Sequence, residues 1–446
     1  MALTAIQIYQ LLEKSNCGEC GVPTCLAFAM KVAQKQAALE DCPRCSDDAK
    51  AALGAAAAPP MATVTIGTGD RALALGGETV LYRHAETFYR PPGIAIALSA
   101  ALPAEELGAQ ARAIAALEFD RVGQSHKPNL IALRDEGDAA QFAAAAATLA
   151  DATPMPIMLM TSDAAAAGAA ADKLAGKKPL LYAADDSNFD AMLAVAKEKL
   201  CVLTLKADGD VGKLVTMSGL AQQAGVNDLL LDSGAANLGD VLQHQTAMRR
   251  ACLKEKVRPL GYPTVFVPQG DGEDMKALAA IVGVCKYAGV VVLESATAET
   301  LLPVITARLN IYTDPQKPIQ IPGGLYQVGE PGPESPVLVT TNFSLTYYTV
   351  EGEVSASKVA SWIIVVDTEG TSVLTAWAAD KFTPESIAET IKSSGIEEQV
   401  THRKIVLPGG VAVLKGKLEE ASGWEALVGP REATGIPKLL KTAWSA

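Results

Sequence analysis

The 446-residue chain is short of aromatic side chains, of histidine and of positive charge. Aromatic residues make up 5% of it, there are four histidines, and acidic residues outnumber basic ones to give a net charge of −12. A chain of that charge has no electrostatic basis for binding nucleic acid or anionic membranes. No apolar run approaches the roughly 20 residues that span a bilayer, and the amphipathic N-terminus is unlike a secretory signal, so we expect a cytoplasmic protein.

Several common functional motifs are also missing. No G-x-G-x-x-G follows a predicted strand, and there is no P-loop, so the sequence carries neither of these nucleotide-binding fingerprints. The four histidines, His84, His126, His244 and His402, are scattered along the chain. They form no cluster that predicts a metal site or a nucleophilic triad, and we expect structural or surface roles for them.

Cysteine, by contrast, is concentrated at one end. Five of the eight cysteines lie in the first 45 residues, and four of them have the spacing C-x2-C-x4-C-x16-C: Cys17, Cys20, Cys25 and Cys42. Four thiolates are what a [4Fe–4S] cluster needs, and three ligands in one glycine-bearing loop are typical of ferredoxin-like sites. Zinc is the alternative, since Cys42-Pro-Arg-Cys45 resembles one arm of a zinc site. Cys45 also stays open as a substitute for Cys42.

The remaining cysteines, Cys201, Cys252 and Cys285, lie in apolar strand-like or helix-like sequence and are predicted to be ordinary buried thiols.

The chain divides into four segments. We expect an iron–sulfur domain with its linker at 1–60, a β-hairpin connector turning at Gly76-Gly77 within 61–92, a barrel at 93–315, and an α/β domain at 316–446.

The barrel prediction comes from a regular alternation of strands and helices. Continuous apolar runs, typical of strands buried on both faces, recur eight times with Ala-rich helical sequence between them. They occupy residues 93–98, 130–135, 156–162, 179–185, 200–206, 228–234, 264–269 and 289–295. Eight such units in just over 200 residues favour a (β/α)8 barrel over an open doubly wound sheet.

A Pro/Gly-rich passage at 314–336 interrupts this pattern and is interpreted as a linker or a covering loop. Four further strands are predicted at 337–341, 362–368, 404–409 and 425–429, with helices at 384–394, 411–421 and 435–444. This alternation suits a small parallel sheet of Rossmann or flavodoxin type.

The cysteine loop NCGECGVPTCLAFAM, together with VTTNFSLTYY, DTEGTSVLTAWAA, LPGGVAVLKG and VGPREATGIP near the other end, resembles the large subunit of the corrinoid iron–sulfur protein family. The resemblance covers the whole chain. It implies a methyl carrier rather than a complete enzyme. Cobalt as Co(I) takes a methyl group from methyltetrahydrofolate through a methyltransferase, and the methyl–Co(III) form delivers it to acetyl-CoA synthase.

The same resemblance implies a [4Fe–4S] cluster that restores Co(I) from Co(II), a low-potential electron donor, and a smaller barrel subunit as heterodimer partner. It also implies a corrinoid in the C-terminal domain, held base-off without an axial histidine. The sequence agrees on one point, because no histidine is preceded two residues earlier by the aspartate of the Asp-x-His-x-x-Gly motif.

Ligands of open α/β sheets bind beyond the carboxyl ends of the strands. The loops there are predicted to bind the corrinoid through small and hydroxyl residues, although for any single residue a turn or cap role is about as plausible. The candidates are Thr341, Asn342 and Thr346; Gly370, Thr371, Ser372, Val373, Leu374 and Thr375; Pro408, Gly409, Gly410 and Val411; and Gly429, Pro430, Arg431, Glu432 and Ala433.

Acidic residues also end four barrel strands: Asp135, Asp185, Asp232 and Glu294. Barrel enzymes keep catalytic groups there, so these side chains leave a folate methyltransferase open as a weaker alternative. We follow the scaffold interpretation for them. The main alternative for the whole chain is an iron–sulfur electron-transfer protein or reductive activator without corrinoid.

Overall fold

The computed structural model describes residues 5–33, 37, 41–46, 59–121 and 123–444. At the N-terminus, α1 (Ala5–Leu11) and α2 (Cys25–Ala33) pack together around a small core of Ile8, Leu12 and Phe28. Residues 47–58, which include much of the linker expected at the end of the 1–60 segment, lie outside the described residues.

The connector is a β-hairpin, but its turn is not where we predicted it. Strands β1 (Thr63–Ile66) and β2 (Leu73–Gly76) pair antiparallel, and the chain reverses between them at residues 67–72. Gly67 and Gly69 have positive φ there and supply the tight turn. The prediction of a turn at Gly76-Gly77 is wrong, because these glycines, also at positive φ, end the second strand instead.

The eight predicted barrel strands all form, and they close into one parallel barrel. The strands are β3 (Gly93–Ser99), β6 (Leu130–Arg134), β7 (Ile157–Met160), β8 (Leu180–Ala184), β9 (Val202–Lys206), β10 (Leu229–Asp232), β11 (Thr264–Phe266) and β12 (Ala288–Leu293). Between β3 and β6 the chain adds a short antiparallel hairpin of β4 (Phe119–Arg121) and β5 (Gln124–His126). Closure leaves no open sheet edge, which excludes the doubly wound alternative for this segment.

Helices surround the barrel and bury one alanine-rich face each against it. They are α3 (Ala104–Ala116), α4 (Ala139–Ala152), α5 (Ala164–Lys173), α6 (Phe189–Lys199), α7 (Val211–Gln223), α8 (Leu238–Leu253), α9 (Glu273–Cys285) and α10 (Ala298–Ile311). Aspartates cap several of them: the Asp138 carboxylate accepts hydrogen bonds from the backbone N–H groups of Ala140 and Gln141, as helix N-termini require. Within the described ranges, no helix combines the length and apolar character needed to cross a bilayer.

The C-terminal sheet contains the four predicted strands and one that we missed. Strands β14 (Val337–Thr341), β15 (Ser361–Val366), β16 (Lys404–Leu407) and β17 (Glu425–Val428) are parallel, in the spatial order β15-β14-β16-β17. This is the 2-1-3-4 order of flavodoxin-type sheets. The helices are α11 (Ser344–Ser357), α12 (Val373–Ala378), α13 (Pro384–Ser393), α14 (Ile396–Gln399), α15 (Lys415–Ser422) and α16 (Ile436–Thr442).

The additional strand, β13 (Gly324–Val328), runs antiparallel along β15 at the edge of this sheet. It lies inside the passage 314–336, so interpreting that whole passage as linker or covering loop is wrong. The surrounding prolines are compatible with this position, since proline within sheets is confined to edges and strand ends.

Candidate functional site

The cysteine segment folds into one small core. Cys25, Cys42 and Cys45 are buried in it, Cys20 packs against it half-buried, and Cys17 is exposed. The two cysteine-bearing stretches, 17–25 and 42–45, therefore meet in the fold although sixteen residues separate Cys25 from Cys42. Both candidates for the fourth ligand, Cys42 and Cys45, are buried in the same core, and the packing does not choose between them.

The backbone of the first loop is shaped for close approach to sulfur. Gly18 and Gly21 have positive φ, as does Asn16. The Asn16 N–H points at the Cys25 sulfur at 3.4 Å, and the Asn16 side-chain oxygen accepts the Cys25 N–H at 2.8 Å. Backbone N–H groups directed at thiolate sulfur stabilise its negative charge, and in iron–sulfur proteins they raise the reduction potential.

An ion pair joins the two stretches. Glu19, between Cys17 and Cys20, accepts a hydrogen bond at 2.6 Å from Arg44, which lies between Cys42 and Cys45. The hydrogen bond from the Arg44 guanidinium holds the pKa of Glu19 below its ordinary value. In the described part of the chain, no three His, Cys, Asp or Glu side chains are arranged to hold a single metal ion. The donor chemistry fits an iron–sulfur cluster, because the thiols of Cys20, Cys25, Cys42 and Cys45 lie in or against one core.

At the other end of the chain, the four candidate loops come together at the carboxyl edge of the C-terminal sheet. The Gly409 N–H donates to the Pro430 carbonyl at 3.1 Å, and a Cβ added at Gly409 would overlap the Gly429 carbonyl oxygen. A Cβ on Gly410 would lie 3.1 Å from the Leu374 side chain. Glycine is needed at Gly409 because its neighbours there are backbone atoms, whereas at Gly410 the leucine side chain could shift by a few tenths of an ångström.

The side-chain amide of Asn342 holds this edge together. Its side-chain nitrogen donates to Asp367 at 2.8 Å and to Gln320 at 3.2 Å. Its oxygen accepts from the backbone N–H groups of Thr368 and Gly370, both at 2.9 Å. Since every polar group of the Asn342 amide is engaged, the side chain fixes the 367–370 loop, and its predicted contact with a corrinoid stays a prediction.

Three hydroxyl groups at this edge are buried without a hydrogen-bond partner among the described residues. They belong to Thr340 and Thr341, at the end of β14, and to Ser344, at the start of α11. A buried polar atom without a partner costs about 1–3 kcal/mol, so native proteins rarely retain a group of them. By contrast, Thr371 and Thr368 donate to one another's carbonyl groups and are satisfied.

The same edge exposes a set of large apolar side chains, which we name the apolar rim. Each lies at or just after the end of one of the four parallel strands, and between 38% and 71% of each residue is exposed. The members are Leu345 after β14, Leu374 and Trp377 after β15, Val413 after β16, and Val428 at the end of β17. Sequence reasoning found only Leu374. The others could have been found as large apolar residues within a few positions of a parallel strand's end.

At the mouth of the barrel, the acidic side chains have partners. The Tyr182 hydroxyl donates to the fully buried Asp232 carboxylate at 2.6 Å, and burial raises the pKa of both groups. Thr161 donates to Asp135 at 2.7 Å. These interactions match the scaffold interpretation.

Glu294 contacts two cations, at 2.8 Å from Arg134 and 3.0 Å from Lys276. Burial opposes ionisation of this carboxyl, but the two hydrogen bonds prevail and hold the pKa of Glu294 below its ordinary value.

The histidines and the three cysteines outside the N-terminal segment lie apart from one another in the fold. His84 stacks on Tyr82, and His402 bonds the Ser335 carbonyl oxygen, so these histidines have structural contacts. Cys201 and Cys252 are buried as predicted. The prediction for Cys285 is wrong: this cysteine ends α9, where the helix surface meets solvent, and it is exposed.

Comparison with known proteins matches the whole chain. A family model described as "CO dehydrogenase/acetyl-CoA synthase delta subunit" matches residues 63–440, and one described as "Putative Fe-S cluster" matches residues 12–44. The corrinoid/iron-sulfur protein large subunit of Moorella thermoacetica is 46% identical over 437 residues, covering 98% of each chain. The acetyl-CoA decarbonylase/synthase complex subunit gamma of Methanothermobacter thermautotrophicus is 35% identical over 99% of each chain.

Among solved structures, dihydropteroate synthase from Xanthomonas albilineans aligns with 57% of this chain and 100% of its own, at 13% identity and a TM-score of 0.41, a distance at which nothing about function follows. The two family models match an iron–sulfur segment at the N-terminus and one family over residues 63–440. The full-length relatives show the family of the whole chain. The chain therefore belongs to the family of corrinoid/iron-sulfur protein large subunits and acetyl-CoA decarbonylase/synthase gamma subunits.

Proposed function

We propose that this chain is a methyl carrier that holds a corrinoid on the apolar rim of its C-terminal sheet. The observation that carries the proposal is the coincidence, at one sheet edge, of exposed apolar side chains and unpartnered buried hydroxyls. A corrin ring is a broad, flat and largely apolar surface with polar amide arms around it. It matches both features together, and the name of the Moorella thermoacetica relative, a corrinoid/iron-sulfur protein, points to the same cofactor.

Different residues of this edge have different roles in the proposed binding of the corrinoid. Leu374 and Trp377 provide apolar contact for the ring, while Gly409 and Gly410 allow backbone to approach it closely. The hydroxyls of Thr341 and Ser344 supply hydrogen-bonding groups for the amide arms. When bound, the corrinoid supplies the cobalt that accepts and releases the methyl group.

The lower face of the cobalt receives no histidine from this domain in our proposal. His402 is the one histidine in residues 316–446. It precedes β16, at the amino edge of the sheet, and both of its ring nitrogens are engaged: Nδ1 accepts the Lys404 N–H at 3.2 Å and Nε2 lies 3.0 Å from the Ser335 carbonyl oxygen. A base-off corrinoid without a strong axial donor is easier to reduce, because such a donor stabilises the higher oxidation states.

Cys17, Cys20, Cys25 and Cys42 are proposed as the ligands of a [4Fe–4S] cluster, which supplies the low-potential electron that reactivates oxidised cobalt. The segment matched by the iron–sulfur family model ends at residue 44, which supports Cys42 over Cys45. The Glu19–Arg44 ion pair keeps the second cysteine stretch beside the first.

The names of the relatives, a large subunit and a subunit of a complex, support two of the partners that we propose: a small corrinoid iron–sulfur subunit in a heterodimer, and acetyl-CoA synthase. We further propose a methyltetrahydrofolate methyltransferase and a low-potential electron donor as partners, because the methyl-carrier function requires them. We propose that the assembly works in the cytoplasm.

The test is anaerobic metal analysis and visible spectroscopy of the chain co-expressed with its small subunit. We expect about four irons and one cobalt per chain, with corrinoid bands that change when a methyl donor and methyltransferase are added. Iron without cobalt, after corrinoid was supplied during folding, would contradict the carrier proposal and favour the electron-transfer alternative.

Single cysteine variants test the ligand assignment. Cys42→Ala should lose the cluster absorption and most of the iron, while Cys45→Ala should keep both. Cys285→Ala, at an exposed position far along the chain, is the control for a harmless cysteine loss. Retention of the cluster in Cys42→Ala and its loss in Cys45→Ala would reverse the assignment.

A further inference from the structure

A large cavity opens at the amino end of the barrel strands, opposite to the end where barrel enzymes keep their active sites. Its volume is about 710 Å³, within the range of small-molecule sites. The β1–β2 turn, the segment that leads into β3, the end of the β4–β5 hairpin and the last turn of α10 surround it. None of the groups proposed for methyl transfer lies in this cavity.

The cavity is cationic although the chain carries a net charge of −12. Four basic side chains line it, Arg71, Arg90, Lys127 and Arg308, against the single carboxylate of Asp70. Lys127 is already paired with Glu118, at 3.0 Å. Arg71 and Arg90 are exposed, and among the described residues no carboxylate lies within ion-pair distance of either guanidinium, although Arg71 is near enough to help lower the pKa of Glu118.

Arg308 places a positive charge in the wall of this cavity without a counter-charge. Its side chain is 8% exposed, and its guanidinium donates only to neutral oxygens: the Pro92 carbonyl at 3.0 Å, the Asn129 side chain at 2.6 Å and the Lys127 carbonyl at 3.2 Å. Burial lowers the pKa of Arg308 to about 10, so the group stays protonated at neutral pH. A buried cation without a carboxylate partner is costly unless an anion approaches it.

Two further side chains give the cavity polar and aromatic surface. His126 lines it with a buried Nε2 that has no partner among the described residues. Burial and the neighbouring Arg308 lower the pKa of His126, which keeps the imidazole neutral and able to donate or accept one hydrogen bond. Tyr89 is 55% exposed at the rim, and its hydroxyl is anchored to the Gly77 carbonyl at 3.0 Å.

We infer that this cavity binds a diphosphate group, either free or as part of a nucleoside diphosphate. Two unpaired arginines beside a third, buried one match an anion that has several oxygens, because guanidinium forms paired hydrogen bonds to phosphate. The sequence holds no phosphate-binding glycine loop, and here side chains from four distant segments take its place. The exposed Tyr89 ring offers a surface on which a base can stack.

The experiment is calorimetric titration of the full chain, purified anaerobically with its small subunit, with pyrophosphate, ADP and adenosine at low ionic strength. Saturable binding of pyrophosphate or ADP is expected, and none of adenosine. The double variant Arg71→Gln/Arg90→Gln should weaken binding by about a hundredfold, since each charge-assisted contact contributes about tenfold. Both positions are exposed, so the variant should fold.

Arg112→Gln is the matched control, because it removes the same charge from an exposed position on α3, outside the cavity. We expect it to change affinity by less than about twofold. The inference is overturned if neither phosphate compound binds, if adenosine binds as well as ADP, or if Arg112→Gln weakens binding as much as the double variant.

The Tyr89→Ala variant separates the two sources of the diphosphate. If the ligand is a nucleoside diphosphate, ADP binds more tightly than pyrophosphate and Tyr89→Ala removes that advantage. If it is free diphosphate, the two bind equally and the variant changes neither. All of these readouts are independent of iron, cobalt and methyl transfer.

Discussion

The barrel and the C-terminal sheet both end their parallel strands in polar loops, but the two edges differ in how far their polar groups are satisfied. At the barrel mouth, Asp232 is bonded by Tyr182, Asp135 by Thr161, and Glu294 by two cations. At the C-terminal edge, three buried hydroxyls have no partner among the described residues and five large apolar side chains are exposed. The first edge is complete in itself, whereas the second has the features of a surface that a ligand completes.

This difference indicates which of the two sets of loops, at the barrel mouth or at the C-terminal sheet, is the better candidate for a binding site. Position at the carboxyl ends of strands is common to both, so it does not discriminate. Unmet hydrogen bonds and exposed apolar surface distinguish a binding edge from a scaffold edge, because each carries a free-energy cost that a bound ligand removes. Four substitutions test the contrast, in decreasing order of their expected effect on corrinoid binding.

The largest effect is expected from Gly409→Ala. The new Cβ would overlap the Gly429 carbonyl oxygen and lie 2.7 Å from the Pro430 carbonyl carbon, so the two loops must separate. Overpacking of this kind costs about 1–3 kcal/mol, and we expect corrinoid affinity to fall about tenfold or more in reconstitution of the apo chain. Gly416→Ala, where a Cβ would meet nothing within 4 Å, is the control. Equal affinity in both variants would remove these loops from the site.

A smaller loss is expected from Leu374→Glu. A carboxylate would replace apolar surface that is 56% exposed in the free chain and covered in the proposed complex. We expect affinity to fall several-fold, to about tenfold, measured by titration of the visible corrinoid bands. Leu242→Glu makes the same change at a 45% exposed position on α8 of the barrel and should leave binding intact. If Leu242→Glu proves the more damaging variant, the apolar rim is not the contact surface.

A still smaller effect on binding is expected from Thr341→Val. Its hydroxyl is buried and unpartnered, and so is that of Thr204 within barrel strand β9. Both valine variants should stabilise the apo chain, by about 1 kcal/mol in denaturant unfolding, because each removes an unmet hydrogen bond. Only Thr341→Val should also weaken corrinoid binding, by a few-fold. Identical binding by both variants would mean that the Thr341 hydroxyl has no ligand partner.

The smallest effect on binding is expected from Tyr182→Phe. Removing the hydroxyl takes a hydrogen bond of 2.6 Å from the buried Asp232 carboxylate and should destabilise the barrel by about 1–3 kcal/mol. Corrinoid affinity should not change if this edge is scaffold, as we interpret it. A loss of affinity at unchanged stability would instead assign the barrel mouth to the cofactor site.

Much of the fold could be predicted because its signals are local. The continuous apolar runs gave all eight barrel strands, and the strand at 337–341 was predicted to the residue. Strand β13 was missed because its pairing with β15 is a tertiary contact within Pro/Gly-rich sequence. The hairpin turn was misplaced because Gly67, Gly69, Gly76 and Gly77 all have positive φ, and only the pairing register decides which of them turn the chain.

The candidate sites were predictable to different depths for the same reason. The spacing of the cysteines is enough to identify them as candidate ligands. The four loops are identified as candidates because each follows a predicted strand. The hydrogen bonds of Asn342 to Asp367 and Gln320 could not be predicted, because no local sequence pattern links these three residues. The cationic cavity was invisible in the sequence, because Arg71, Arg90, Lys127 and Arg308 meet only after the barrel has closed.

The Glu19–Arg44 ion pair has a consequence for how the cluster is assembled. Its two residues are 25 positions apart, and their contact joins the two ends of that stretch through protein groups alone. Closing a loop costs chain entropy, and a stretch that is already closed brings the distant cysteines near one another without the metal bearing that cost. Since both side chains are exposed, salt screens their attraction. Iron uptake by the apo chain should therefore slow as ionic strength rises, while an assembled cluster, held by covalent metal–sulfur bonds, should be indifferent to it.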